Sequence, residues 1–149
     1  KTVLFVCTGN SCRSVMAQAL LKKKLADLKR TDVEVLSGGI MMAEGLGASF
    51  ETKELLAQEG IDVSAHRSRR VTGDMLNRAD LILVMEGAQE HRILQMHPAG
   101  KNRLFLLKEF ARVEGTDLNI PDPMGRDMRF YGHTLGIIKE AVEKVSQII

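Results

Sequence analysis

The chain lacks any apolar run approaching the roughly 20 residues that a membrane-spanning helix needs. Its first apolar stretch, Val3-Leu4-Phe5-Val6, is too brief for a secretory leader, and no cleavage pattern follows it. A cytoplasmic location is therefore expected. Cysteine is scarce: Cys7 and Cys12 lie in one loop with four residues between them. Two thiols that close do not build a disulfide framework. The histidines (His66, His91, His97 and His133) are scattered, so no zinc-site spacing exists, and neither metal nor cofactor is expected. Charge of one sign is also missing. With 21 basic and 19 acidic residues the net charge is +2, too balanced for nucleic acid or a membrane as an obligate partner. Tryptophan is absent and aromatics make up 4%, which leaves little for stacking against a flat ring. Linkers, low-complexity tracts and internal repeats are absent as well.

What remains is an ordinary globular composition in 149 residues, 44% apolar and 27% charged, the size of one domain spanning 1–149. Strand and helix patterns alternate. Thr2–Val6, Val33–Leu36, Ala79–Met85 and Arg103–Leu106 read as strands, the third a continuous apolar run of the kind buried on both faces of a parallel sheet. Ser37-Gly38-Gly39 follows the second strand. Met16, Ala17, Leu20, Leu21, Leu25 and Leu28 recur at helical spacing. Ala48–Glu59 reads as a helix stopped by Gly60, a short helix opens at Thr72, and Ala88–Met96 is helical. A loop from about Ala111 to Arg129 precedes a helix striped by Tyr131, Leu135, Ile138, Val142, Val145 and Ile149. The expected fold class is α/β, with a four-stranded parallel sheet flanked by helices on both faces. In such sheets ligands bind beyond the carboxyl ends of the strands, where residues 7–14 leave the first one. Lys22-Lys23-Lys24 reads as a solvated face, whereas Arg67, Arg69 and Arg70 lie closer to this loop's expected position.

The segment Cys7-Thr8-Gly9-Asn10-Ser11-Cys12-Arg13-Ser14 is therefore strand end, tight loop and helix start. It places a thiol and a guanidinium around backbone N–H groups aimed at one point, which holds a tetrahedral oxyanion beside a nucleophilic sulfur. Only the thiolate attacks. The unpaired N–H groups and partial positive charge of a helix start favour it, and so does Arg13. The same donors suit the oxygens of a phosphoryl group, and the planar fork of arginine meets two of them at once. Gly9 and Asn10 tolerate the left-handed backbone that curls N–H groups inward, and the Ser14 hydroxyl can donate to the thiolate. The departing atom needs a proton. Asp122, held in a stiff loop between Pro121 and Pro123, is the candidate acid; the plainer account of that segment is a turn.

These motifs, together with Ser37-Gly38-Gly39, Gly60-Ile61-Asp62 with Ser64 and His66, and the strand Ala79–Met85, resemble the low-molecular-weight protein tyrosine phosphatases over nearly the whole chain. The resemblance implies that Cys7 is the nucleophile, Arg13 the phosphate clamp and Asp122 the general acid. Thr8, Gly9, Asn10, Ser11, Cys12 and Ser14 would form the phosphate loop, with Asn10, Ser14, Ser37 and His66 in a network that holds its shape. Cys12 matches the family's second cysteine, which would protect Cys7 through a reversible disulfide; its plainer account is a small buried side chain. The implied partners are a phosphorylated protein substrate and inorganic phosphate or other oxyanions on the loop, with the chain a monomer or weak dimer.

Several positions depart from the common pattern. Val15 stands where proline is usual, a position where proline is favoured but not required. Met124-Gly125 stands after Asp122-Pro123, where eukaryotic-type members carry two aromatics. Bacterial protein arginine phosphatases of the family resemble this chain there, and in a later tyrosine matched by Tyr131. They carry Thr where this chain has Ser11, whereas tyrosine phosphatases carry Ile or Leu. Met41, Met42, Phe50, Met124 and Tyr131 are the expected pocket walls. Phosphotyrosine hydrolysis is the leading expectation and phosphoarginine hydrolysis the alternative. Arsenate reduction is a weaker one, because that chemistry uses downstream cysteines and none follows Cys12. A non-catalytic oxyanion-binding module is the remaining reading.

Overall fold

The computed structural model describes residues 1–41 and 43–149, so Met42 lies outside the described residues. Its elements are β1 (Thr2–Cys7), α1 (Arg13–Asp27), β2 (Glu34–Gly39), α2 (Phe50–Gln58), α3 (Gly73–Arg78), β3 (Leu81–Val84), α4 (Gly87–Met96), β4 (Leu104–Leu106), the single turn α5 (Leu107–Phe110) and α6 (Met128–Ile148). The strands pair in parallel in the order β2-β1-β3-β4. Alternate residues of a strand face opposite sides, and β1 is apolar at both. Val3, Phe5 and Cys7 pack with Met16, Leu21, Ile138 and Val142 of α1 and α6. Leu4 and Val6 pack with Leu76, Ile82 and Ile93 on the α3 and α4 side. The α/β expectation is met, and parity alone puts the Cys7 side chain on the face that α1 covers.

Helix starts follow local chemistry. Ser49, Thr72 and Asp127 cap α2, α3 and α6, each side chain accepting from the backbone N–H three residues on. Along α6 the residues Tyr131, Leu135, Ile138, Val142 and Val145 are buried at spacings of three and four. Burying side chains of this size contributes roughly 1.5–3 kcal/mol each.

Differences from the sequence-based expectation have identifiable causes. β2 does not end at Leu36 but runs through Ser37-Gly38-Gly39 in register with Phe5-Val6-Cys7. The glycines there serve close approach rather than a turn: a Cβ on Gly38 would lie 2.6 Å from Val71 Cγ2. Residues 69–71 run alongside, with Gly39 N donating to Arg69 O and Val71 N donating to Gly39 O. A 3-10 turn at Pro98–Arg103 and the short α5 carry no periodic signal of their own. Among the described residues no helix is long and apolar enough to cross a membrane.

If Gly38 is glycine because Val71 crowds it, Gly38→Ala should lower stability by about 1–3 kcal/mol in urea unfolding. Adding Val71→Ala should recover part of that loss. Strictly additive losses would show that the contact is not the cause.

Candidate active site

The loop that follows β1 wraps the end of the sheet and enters α1 at Arg13. Asn10 is its one residue in the left-handed region, at φ 51°. Gly9 is not left-handed, and a Cβ there would meet only Ser11 Oγ at 3.6 Å, an ordinary contact. The curl expected of both residues is thus carried by Asn10 alone. Asn10 N donates to Cys7 Sγ at 3.2 Å. The N–H groups of Gly9, Ser11 and Cys12 have no acceptor among the described residues. Those of Arg13 and Ser14 lie in the first helical turn, where amides have no intrahelical partner. They form the donor set for an oxyanion next to the sulfur.

Asn10 is fully buried and its side chain is completely satisfied. Its Oδ1 accepts from Arg69 N at 2.9 Å, which fixes the amide orientation. Its Nδ2 then donates to Ser14 Oγ at 2.9 Å and to Ser37 Oγ at 3.0 Å. Because Ser14 Oγ accepts from Asn10, its own proton is free for Cys7 Sγ, 2.9 Å away. The chain Asn10–Ser14–Cys7 therefore delivers two donors to the sulfur, one hydroxyl and one amide, and both stabilise negative charge there. Ser37 Oγ donates to Gln18 Oε1 at 2.7 Å, and Gln18 Nε2 donates to Val35 O. His66 Nε2 lies 2.8 Å from Asn10 O, so that nitrogen carries the proton. Burial, together with Arg67, Arg69 and Lys22, holds the His66 pKa below its usual value, against the raising effect of the bond to Asn10. The Nε2–H tautomer makes this bond without a charge.

Arg13 is 2% exposed yet charged. Its Nη1 donates to Glu86 Oε1 and, at 2.7 Å, to Ile120 O. Its Nη2 lies 3.8 Å from Asp122 Oδ2. With Nη1 occupied, the Nε/Nη2 edge is the fork left to meet two oxygens. Asp122 Oδ1 accepts from Met124 N at 3.0 Å, a turn that closes the Pro121-Asp122-Pro123 segment, so the turn and the candidate acid are one feature. Ile120 N donates to Met85 O at 2.9 Å, which ties this loop to the end of β3.

The remaining expected residues fall into two groups. Met41, Phe50 and Met124 are exposed, Phe50 at 64%, and Met41 N donates to Thr8 O. Tyr131 is 2% exposed, and its hydroxyl sits 3.6 Å from Cys12 Sγ. Burial raises its pKa. As a packed support of Cys12 it does not present an open wall for a substrate ring. Cys12 itself is buried, a free thiol, and donates to Ser49 Oγ at 3.4 Å. Among the described residues no cluster of three or more His, Cys, Asp or Glu could hold a metal ion.

Sequence reasoning missed Glu86, Gln89 and Gln18. Gln89 is buried; its Oε1 accepts from Met85 N and Glu86 N, and its Nε2 donates to Thr8 Oγ1 at 3.1 Å. A signal was present: a charge directly after a buried parallel strand, with Gln three residues on, is half of a capping box. The carboxylate is turned to Arg13 instead of to its own helix.

The family described as low molecular weight phosphotyrosine protein phosphatase matches residues 2–149. A probable low molecular weight protein-tyrosine-phosphatase, EpsP of Ralstonia solanacearum, is 42% identical over 143 residues, covering 96% of this chain and 92% of that protein. A protein-arginine-phosphatase of Geobacillus stearothermophilus is 37% identical over 145 residues, 97% of this chain and 93% of that protein. Among solved structures, the low molecular weight protein tyrosine phosphatase of T. tengcongensis superposes with a TM-score of 0.92 at 35% identity, covering 99% of each chain.

Two outcomes follow from the geometry. Glu86→Gln removes the charge that orients Arg13 and should weaken binding of inorganic phosphate about tenfold, the loss of roughly 1.4 kcal/mol from a partly buried charged hydrogen bond. Unchanged phosphate affinity by calorimetry would show that Glu86 does not position Arg13. A depressed His66 pKa means that the unfolded chain takes up a proton before the folded one does. Stability from this site is then full above the ordinary value of 6.5 and falls as pH drops through the lower folded value. Urea unfolding between pH 5 and 7 should show this slope, and His66→Gln should flatten it.

Proposed function

The chain belongs to the low molecular weight phosphotyrosine protein phosphatase family, a family of hydrolases, and on that premise we propose that it dephosphorylates phosphotyrosine in proteins through a phosphocysteine on Cys7. The Asn10–Ser14–Cys7 hydrogen-bond chain carries this reading, because it supports a thiolate beside free N–H donors and the Arg13 fork. The Cys7 sulfur attacks phosphorus as the bond to the aryl oxygen breaks. The loop amides and Arg13 take up charge on the equatorial oxygens. The Asp122 carboxyl gives its proton to the leaving oxygen. The resulting carboxylate then takes a proton from water, which attacks the phosphocysteine, breaks the P–S bond and releases phosphate and the thiolate.

Phosphoarginine hydrolysis by the same steps is the second reading. It is favoured by Met124-Gly125 after Asp122-Pro123, by small polar Ser11 on the loop and by burial of Tyr131, which together leave few rings to clasp a phenyl group. A relative named protein-arginine-phosphatase supports it.

Matched phosphotyrosine and phosphoarginine peptides should give the higher kcat/KM with phosphotyrosine, and the reverse order would move the assignment to the second reading. Cys7→Ser should abolish turnover and keep phosphate binding. Asp122→Ala should slow poor leaving groups more than good ones, typically by 10²–10⁴-fold for the poor ones. Equal slowing across leaving groups would remove Asp122 as the acid.

A further inference from the structure

A cavity of about 800 Å3 opens between α1, β2 and the segment Gly60 to Arg69. Cys7, Arg13 and Asp122 do not line it, whereas Ser37 and His66 do. Its size is that of a small-molecule site, which typically spans about 300–1,000 Å3. Two features of the lining select a ligand class. Lys22, Lys23, Arg67 and Arg69 ring it, against the single carboxylate of Asp62, whose Oδ1 already accepts from Ser64 N. Lys23 donates to Glu59 O, and Arg67 to Ser64 O and His66 O. Lys22 and the Arg69 guanidinium have no side-chain partner among the described residues. Beneath the cations lies an apolar floor that includes Val15, Val35, Ile61 and Val63. Cations converge here without enough anions to answer them, over a surface suited to a hydrocarbon or ring.

We propose that this cavity binds an organic anion with an apolar body, such as a ring or short chain bearing a carboxylate, sulfonate or phosphate, and that its occupant tightens the oxyanion loop from outside the active site. The coupling follows from which residues line the wall. Asn10 is held by Ser37, His66 and the Arg69 amide, and all three residues border the cavity. Gln18, which orients Ser37, borders it too. Lys22 stands on α1 and the two arginines on the facing segment. An anion between them bridges the two sides, offsets the repulsion among like charges and clamps the segment that supports Asn10. Binding at two sites coupled in this way is reciprocal, so the occupant raises phosphate affinity at the loop by the same factor that phosphate raises its own. This site stands apart from the choice between phosphotyrosine and phosphoarginine.

The test uses 8-anilinonaphthalene-1-sulfonate as probe on the full chain, by fluorescence titration with and without saturating inorganic phosphate at constant ionic strength. One probe per chain should bind, and phosphate should not displace it. Lys22→Glu, on an exposed side chain outside the loop network, should weaken the probe about fivefold, the screened effect of reversing one charge beside an exposed anion. Lys22→Gln should weaken it less, and both variants should keep the parent's thermal midpoint. Calorimetric phosphate affinity should rise when the probe is bound, a readout independent of turnover. Probe affinity unchanged in Lys22→Glu would place the probe elsewhere, as on the exposed Met41 and Phe50 surface, and overturn the site. Displacement by phosphate would place the probe on the oxyanion loop and overturn the site equally. Phosphate affinity indifferent to the probe would overturn the coupling.

Discussion

The site depends on one residue held where residues other than glycine seldom sit. Asn10 adopts φ 51° and is itself fully buried. A left-handed backbone costs about 1–2 kcal/mol for an ordinary residue, less for asparagine, whose short side chain finds local partners. Here every polar atom of that side chain is paired, and its carbonyl is bonded by His66. A half-satisfied buried amide would cost more than the curl itself. The network must form whole, and so the loop has one shape. From that shape follow the amide on the Cys7 sulfur, the free donors around it and the direction of the Ser14 proton.

A second constraint joins the loop to the rest of the molecule. Arg13 is buried and cannot shed its charge, so it needs anionic and carbonyl partners. It takes them from the end of β3, through Glu86, and from the loop near Asp122, through Ile120 O. Two segments more than 70 residues away in sequence thereby meet the loop after β1 through one guanidinium. Gln89 closes the same circuit by holding both the Met85-Glu86 amides and Thr8. The proposed nucleophile, anion clamp and acid share one hydrogen-bonded frame.

Much of this was legible in the residues alone. The unbroken run Val3–Val6, the stripe of α6 and the caps at Thr72 and Gly60 each carry a local signal, and each element formed. The loop was legible too, because strand, thiol, asparagine, arginine and serine fall within a short stretch of chain. Less legible was whatever depends on a distant neighbour. Ser37-Gly38-Gly39 lies past the alternating pattern of Val33–Leu36, yet pairing with β1 and the adjacent 69–71 segment make it strand. Tyr131 has the makings of a pocket wall, but its place on the buried stripe of α6 turns its hydroxyl to Cys12. Glu86 stands outside the helix read at Ala88–Met96, and the buried charge of Arg13 claims its carboxylate.

The sequence by itself determined the order of strands and helices, the parity that puts Cys7 against α1 and the chemical types gathered around the sulfur. These follow from periodicity and from spacing along a short segment, where the chain has little freedom. Only the tertiary structure decided which carboxylate orients Arg13, which residue alone carries the left-handed turn and which cations crowd the cavity behind Ser37 and His66. Those outcomes turn on burial and on hydrogen bonds between residues tens of positions apart. Their energies exist only once the sheet has brought the partners within about 3 Å of each other.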